Sequence, residues 1–392
     1  MKLANRFAHM LGCEANGWAI LFQARKRIAA GEDIVMLTIG EPDIKTDPEI
    51  IAAMHRAAIS GNTGYTDIAG QSGLRAEIAA RVTHRTGVQT PPEAVVVTPG
   101  GQAALFAAHM ALLDAADTGL YISPFYPTYP GTIRSGGARA VAVPTLPEAN
   151  FQPQPQALRD AARAHGARTL LINTPNNPTG VIYARETLEG IAAVCHDEDL
   201  WLISDEVYDT QVWQGQHLSP RALPDMAART VVIGSLSKSH AMTGARIGWI
   251  VAPVEVAEAV HQLAINTTYG VPGFIQDAAL FALRQGNALE ARIAAPFRRR
   301  RTIAAQVLAG SQALRLIPPM GAMYVMVDIR ATGLSGADFA TRLLAQERIA
   351  VMPGESFGAA AAGHLRIALT LEDGALEAAL ARLRHFAEAL LP

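Results

Sequence analysis

A chain of 392 residues, half of them hydrophobic, has the means to bury a large core across about two to three domains. Its formal net charge of −2 excludes bulk attraction to nucleic acid or to an anionic membrane. Two cysteines, Cys13 and Cys195, exclude a disulfide framework or zinc pattern, and the eleven histidines lack metal-type spacing.

Lys2 and Arg6 are followed by no sustained apolar stretch, and no segment is long and apolar enough to span a bilayer. A cytoplasmic location is therefore expected. Helical spacing appears first at Ile50, Met54 and Ala57, then at Leu74, Ile78 and Val82. Strand-like apolar runs follow at 94–97, 119–122, 139–143, 169–173, 201–204, 230–234 and 247–251. Seven such runs interleaved with helices predict an α/β fold with a sheet covered on both faces. Gly100 and Gly101 precede a helical pattern (Leu105, Phe106, His109, Met110, Leu113), and bare amides at such a start suit an anion. The turn NTPNNPTG closes the run at 169–173, and Asp205, with Tyr208 three residues on, closes the next. A helix cap would explain Asp205 and Tyr208 by themselves. After Gly286 the alternation weakens into helices with short strands, a smaller α+β unit. The run PFRRRR (296–301) is expected to be a solvated helix face, and Leu376, Leu380, Leu383 and Phe386 mark a final amphipathic helix.

Lys238 is the most telling residue. The chain has four lysines, Lys2, Lys26, Lys45 and Lys238, against 33 lysines plus arginines in all. From residue 46 onward Lys238 carries the only side-chain amine. A chain that takes its positive charge from arginine elsewhere keeps an amine here because an amine condenses with a carbonyl and a guanidinium does not. Arg246, in TGARIG, and the hydroxyls of Ser235 and Ser237 suit a carbonyl cofactor that also bears a phosphate. Asp205 suits a positively charged ring nitrogen acting as electron sink. Arg366, inside the strand-like LRIAL, is a costly internal charge unless it meets an anion. That anion is either a substrate α-carboxylate or a carboxylate of the protein itself.

The segments NTPNNPTG (173–180), SDEVYD (204–209) and SLSKSHAMTGARIGW (235–249), in this order and spacing, resemble the class I/II pyridoxal-phosphate aminotransferases of fold type I. The likeness extends through GEPD (40–43), GYTDIAGQSGLR (64–75), TPGGQAALF (98–106), SPFYPTY (123–129), PMGAMY (319–324) and HLRIALT (364–370). It implies a large domain at 47–286 with a mostly parallel seven-stranded sheet, and a smaller α+β domain made from 1–46 and 287–392. Pattern reading alone does not join the two termini.

By the same resemblance Lys238 would hold pyridoxal 5'-phosphate as a Schiff base and act as the catalytic base. Asp205 would pair with the ring nitrogen, while Tyr208 and Asn177 would donate to the ring's 3-oxygen. Arg246, Ser235 and the backbone of Gly101 and Gln102 would bind phosphate. Tyr126 would stack on the ring, and Tyr65 would reach the cofactor of the neighbouring subunit in a homodimer. Arg366, with Asn177 and the backbone of Gly40, would hold the substrate carboxylate.

The expected activity is ping-pong transfer of an amino group between an α-amino acid and a 2-oxo acid. A carbon–sulfur β-lyase of the same fold and a non-catalytic effector-binding protein are the alternatives. Gln102 stands where some aspartate-specific relatives have lysine, and Ala245 where a bulky aromatic is common. A neutral aliphatic or aromatic amino donor is therefore expected, with Trp18, Phe22 and the segment 265–270 as candidates for the side-chain pocket. His240 is a candidate for a supporting role beside the lysine.

Overall fold

The computed structural model describes residues 3–11 and 18–391, so Lys2 and Cys13 lie outside the described residues. In chain order the strands are β1 (Val35–Leu37), β2 (Val95–Thr98), β3 (Thr118–Ser123), β4 (Arg139–Pro144), β5 (Ala167–Asn173), β6 (Trp201–Asp205), β7 (Thr230–Ser235), β8 (Gly248–Val251), β9 (Arg315–Leu316), β10 (Tyr324–Asp328), β11 (Ile349–Pro353) and β12 (His364–Ala368). The seven apolar runs become β2 to β8 and join one sheet in the order β2-β8-β7-β6-β5-β3-β4. Strands β7, β6, β5, β3 and β4 run parallel. β8 alone runs against both its neighbours.

Alternation along β5 explains why these runs read as continuously apolar. Leu170 and Ile172 enter one core with Leu188 and Ile191, while Leu171 enters another with Leu105 and Ala108. A strand buried on both faces has no solvent side on which to place polar residues.

Local chemistry sets the helix ends. Asp47 accepts from the N–H of Glu49 at 2.8 Å to start Pro48–Ile59, and Gly87 ends Ser72–Thr86 in the left-handed conformation. The helix Asp373–Glu388 buries Leu376, Leu380, Leu383 and Phe386, the stripe expected from their spacing.

A second sheet has the order β1-β11-β12-β10-β9. β1, near the N-terminus, pairs in parallel with β11 from beyond residue 348, so the two ends of the chain share a sheet. The pairing β11–β12–β10–β9 is antiparallel throughout. The arginine run differs from the expectation of a solvated face. Arg298 and Arg299 are exposed on the helix Asn287–Leu308, but Arg300 is buried at 4 % exposure. Its guanidinium donates to both oxygens of Asp43 at 2.7 Å, to Asp373 at 3.0 Å and to the carbonyl of Leu369 at 3.0 Å.

Candidate active site

In the parallel register Asn173 on β5 lies beside Asp205 on β6, and Asp205 beside Ile233 on β7. The carboxyl ends of three adjacent strands therefore lie side by side, where ligands of α/β sheets gather. A cleft of about 320 Å³ opens at this edge. It is lined by Gly40, Gly101, Gln102, Tyr126, Asn177, Asp205, Tyr208, Ser235, Lys238, Arg246 and Arg366, eleven of the twelve residues expected from the sequence. The twelfth, Tyr65, is 90 % exposed and does not line the cleft of its own chain.

Lys238 follows β7 directly in the short helix Leu236–Ser239, which Ser235 begins by accepting from the N–H of Ser237 at 3.1 Å. Its Nζ donates to the carbonyl of Gly40 at 2.5 Å and has no carboxylate partner among the described residues. Gly40 must be glycine: a Cβ there would fall 1.6 Å from the hydroxyl of Tyr324.

Asp205 is buried at the end of β6. Loss of solvent pushes its carboxyl up to about 6, against the opposing hydrogen bonds from the Tyr129 hydroxyl (2.6 Å) and the Val207 N–H (3.3 Å). Tyr129 was assigned no role by sequence reasoning, although it ends the quoted SPFYPTY segment. Its ring packs edge-on against Tyr126 at 5.9 Å.

On the anion side, Gly100 has φ +86 and caps the helix Gly101–Leu112 with no side-chain bond, so the first amides of that helix are bare. A Cβ on Gly100 would meet Arg246 Nη2 at 2.5 Å. Arg246 itself donates to the carbonyls of Thr243 (2.7 Å) and Pro99 (3.3 Å) and to no carboxylate among the described residues. Ser235 Oγ donates to the Ile247 carbonyl at 3.0 Å, which fixes the hydroxyl at the cleft wall.

Arg366 on β12 is 2 % exposed, yet no carboxylate pairs with it among the described residues. The alternative of a carboxylate within the protein therefore finds no candidate among the described residues. The guanidinium donates to Asn177 Oδ1 at 2.9 Å and to the carbonyl of Thr38. It lies between the rings of Tyr324 (4.5 Å) and Phe357 (4.6 Å), and its Nε has no partner. Loss of solvent depresses its pKa. Because Asn177 accepts from Arg366 through Oδ1, its amide nitrogen is left to donate into the cleft. Tyr208 and Tyr324 share a hydroxyl–hydroxyl bond of 3.0 Å. Tyr324, the end of the quoted PMGAMY, is a second wall residue that sequence reasoning left without a role.

Trp18 lines the cleft, but Phe22 is 54 % exposed and neither it nor the segment 265–270 lines the cleft of its own chain. His240 lies outside the cleft lining; its Nδ1 meets Ser239 Oγ at 2.8 Å, and burial brings its pKa down to about 4. Cys195 is buried and free, with its thiol pushed up to about 12 by loss of solvent, which leaves it inert. A second cavity of about 400 Å³ touches Ser235 and Ser239, but its ionisable side chains are partnered: His217 bonds to Glu206 at 3.1 Å, Arg85 pairs with Asp209, and Arg81 with Glu290 outside the lining.

The chain belongs to the class I and II aminotransferases, whose family model matches residues 32–383. It is an aminotransferase, and enzymes of this class use pyridoxal phosphate with amino acids and 2-oxo acids as substrates. It is 41 % identical over 391 residues to an arginine–pyruvate transaminase of Pseudomonas aeruginosa, covering all of this chain and 99 % of that one. It is 36 % identical over 356 residues to an aspartate/prephenate aminotransferase of Thermus thermophilus, covering 90 % of each. Its structure resembles the Thermus thermophilus aspartate aminotransferase with maleate, at a TM-score of 0.91 and 34 % identity over 98 % of this chain and all of that one. The lyase and effector-binding alternatives find no support among these transferases. Among the described residues no helix is long and apolar enough to cross a membrane.

Proposed function

We propose that this cleft binds pyridoxal 5'-phosphate at Lys238 and exchanges amino groups between an α-amino acid lacking a side-chain carboxylate and a 2-oxo acid. The donor set fits the group: an amine, a buried carboxyl, an arginine beside bare helix amides, and a ring-bearing wall share one cleft. When bound, the cofactor supplies a carbonyl for the lysine and a positively charged ring that draws electrons from the substrate's Cα. Asp205, oriented by Tyr129 and Val207, holds the ring nitrogen positive. Tyr208 and the Asn177 amide donate to the ring's oxygen. Arg246, Ser235 and the N–H groups of Gly101 and Gln102 hold the phosphate, and Tyr126 packs on the ring. Lys238 Nζ, when free, would take the proton from the substrate's Cα and deliver it to the cofactor's carbonyl-derived carbon.

The observation that carries substrate recognition is Arg366, a buried guanidinium without a carboxylate. Its fork matches an α-carboxylate, with Asn177 and the Gly40 backbone alongside. Every other cation lining this cleft already has a task, and Gln102 bonds to Thr128 at 2.8 Å. A side-chain carboxylate would meet no unassigned cation among the described residues of this cleft. The transaminase relative's use of pyruvate supports a monocarboxylic acceptor. The exposed Tyr65 supports a homodimer in which that ring serves the neighbouring subunit's phosphate. We also assign 47–286 to the large domain and 1–46 with 287–392 to the small one, a division the two sheets support.

Borohydride reduction of the yellow holoenzyme followed by peptide mapping tests the anchor, and a label away from Lys238 overturns it. Initial rates with a panel of amino donors against pyruvate and 2-oxoglutarate should give parallel lines. Intersecting lines, or a preference for aspartate, would sink the reading.

A further inference from the structure

We infer that Arg300 is a positioning residue for the substrate-carboxylate site, acting through Asp43 on the cleft wall at residues 38–43. This rests on the reading of Arg366 as the carboxylate anchor.

The wall segment follows β1 and has no regular secondary structure. Its position is set by a row of tethers. The carbonyl of Thr38 accepts from Arg366, that of Ile39 from Thr370 Oγ1 at 3.0 Å, and that of Gly40 from Lys238 Nζ at 2.5 Å. Glu41 accepts from Thr243 Oγ1 at 3.1 Å. The row ends at Asp43, whose two oxygens are both held by Arg300 at 2.7 Å. The first three tethers are single bonds, two of them to side chains with work elsewhere in the cleft. The Arg300 fork is bidentate, and a bidentate pair fixes orientation as well as distance.

The remaining donors of Arg300 give the direction of the effect. Nε donates to Asp373 and Nη1 also to the carbonyl of Leu369, three residues beyond Arg366. One buried guanidinium thus joins the loop that carries Gly40 to the end of the strand that carries Arg366. These are the two elements proposed to hold the α-carboxylate. The tolerance between them is small, because Gly40 lies against the Tyr324 hydroxyl with no room for a Cβ. The asymmetry of burial points the same way. Arg300 has 5 % of its side chain exposed and Asp43 30 %, so the core supplies the fixed charge and the loop is what it holds.

Asp43→Asn is the incisive variant, because it releases the wall while Arg300 keeps Asp373 and the Leu369 carbonyl. The measurement is single-turnover absorbance of the holoenzyme against the concentration of its best amino donor, which separates apparent Kd from limiting rate. We expect Kd to rise about tenfold, equivalent to about 1.4 kcal/mol, with the limiting rate within about threefold, cofactor content unchanged and the absorbance spectrum retained. Arg300→Lys, which keeps the charge and loses the fork, should reproduce that rise. Arg382→Gln breaks the exposed pair with Glu347 in the same part of the molecule and should leave Kd unchanged. An unaltered Kd in Asp43→Asn overturns the inference, as does a rise that Arg382→Gln matches. Arg366→Met separates the two layers. If it leaves Kd unmoved, the anchor reading itself fails; if it raises Kd and Asp43→Asn does not, only the role of Arg300 fails.

Discussion

Arg300 and Arg366 are buried to nearly the same degree, 4 % and 2 % exposed, yet their surroundings are opposite. Around Arg300 two carboxylates and a carbonyl take four of the guanidinium's five N–H donors. Around Arg366 there are two aromatic faces, a neutral amide and a carbonyl, with one nitrogen unpartnered. A buried charge with its counter-charge in place is structure, and one without it awaits a ligand. Burial alone does not tell these apart; the partner list does.

The sharpest test separates charge from chemistry. Lys238→Arg keeps a cation in the cleft and removes the amine, so both the yellow chromophore and measurable turnover should vanish. A yellow, active variant means that the amine is elsewhere.

Arg366→Met should lower kcat/KM by about 10²- to 10³-fold, the loss of a charge-assisted fork worth roughly 3–4 kcal/mol. Its thermal midpoint should hold or rise, because an uncompensated buried charge is removed. A large fall in stability would place Arg366 with Arg300 as structure. Arg300→Met should do the reverse and lower unfolding free energy by about 3 kcal/mol in chemical denaturation, since Asp43 loses its partner and Asp373 keeps only Arg299. Unchanged stability there would erase the contrast.

The smallest effect is a pH dependence of the cofactor-free protein. With its carboxyl raised from 3.8 to about 6, Asp205 stabilises the fold when protonated. That contribution is complete below its unfolded value and is lost as pH rises through about 6. Melting curves of wild type against Asp205→Asn should therefore diverge by on the order of 2 kcal/mol between pH 4 and 7. Asp328 has the opposite sign. Desolvation raises it, but hydrogen bonds from Arg330 and Arg315 outweigh that and hold it at about 2. Its stabilisation is present above the ordinary carboxylate range and is lost only as pH falls towards 2. Parallel melting curves for wild type and Asp205→Asn would argue against a buried, proton-binding Asp205.

Much of the fold was legible because strands buried on both faces are largely apolar, and β2, β3 and β5 to β8 appeared as such runs, while the edge strand β4 is half exposed. Their direction was not: nothing in IGWIV distinguishes the reversed β8 from its parallel neighbours, since chain direction leaves no mark on composition. Site residues at strand ends, such as Asp205 and Lys238, stood out as polar breaks after apolar runs. Tyr129 and Tyr324 did not, because a tyrosine looks the same in sequence whether its hydroxyl meets solvent or a buried polar partner.

What the sequence by itself determined is local: where the chain turns apolar, where glycines leave helix amides bare, and which single amine can do carbonyl chemistry. Only the tertiary structure decided which arginine of a run of four is turned inward, and that residues near 40 and 366 face one cleft with residue 238. Those outcomes depend on contacts between segments hundreds of residues apart, and the packing that brings them together is a property of the whole core rather than of any stretch of chain.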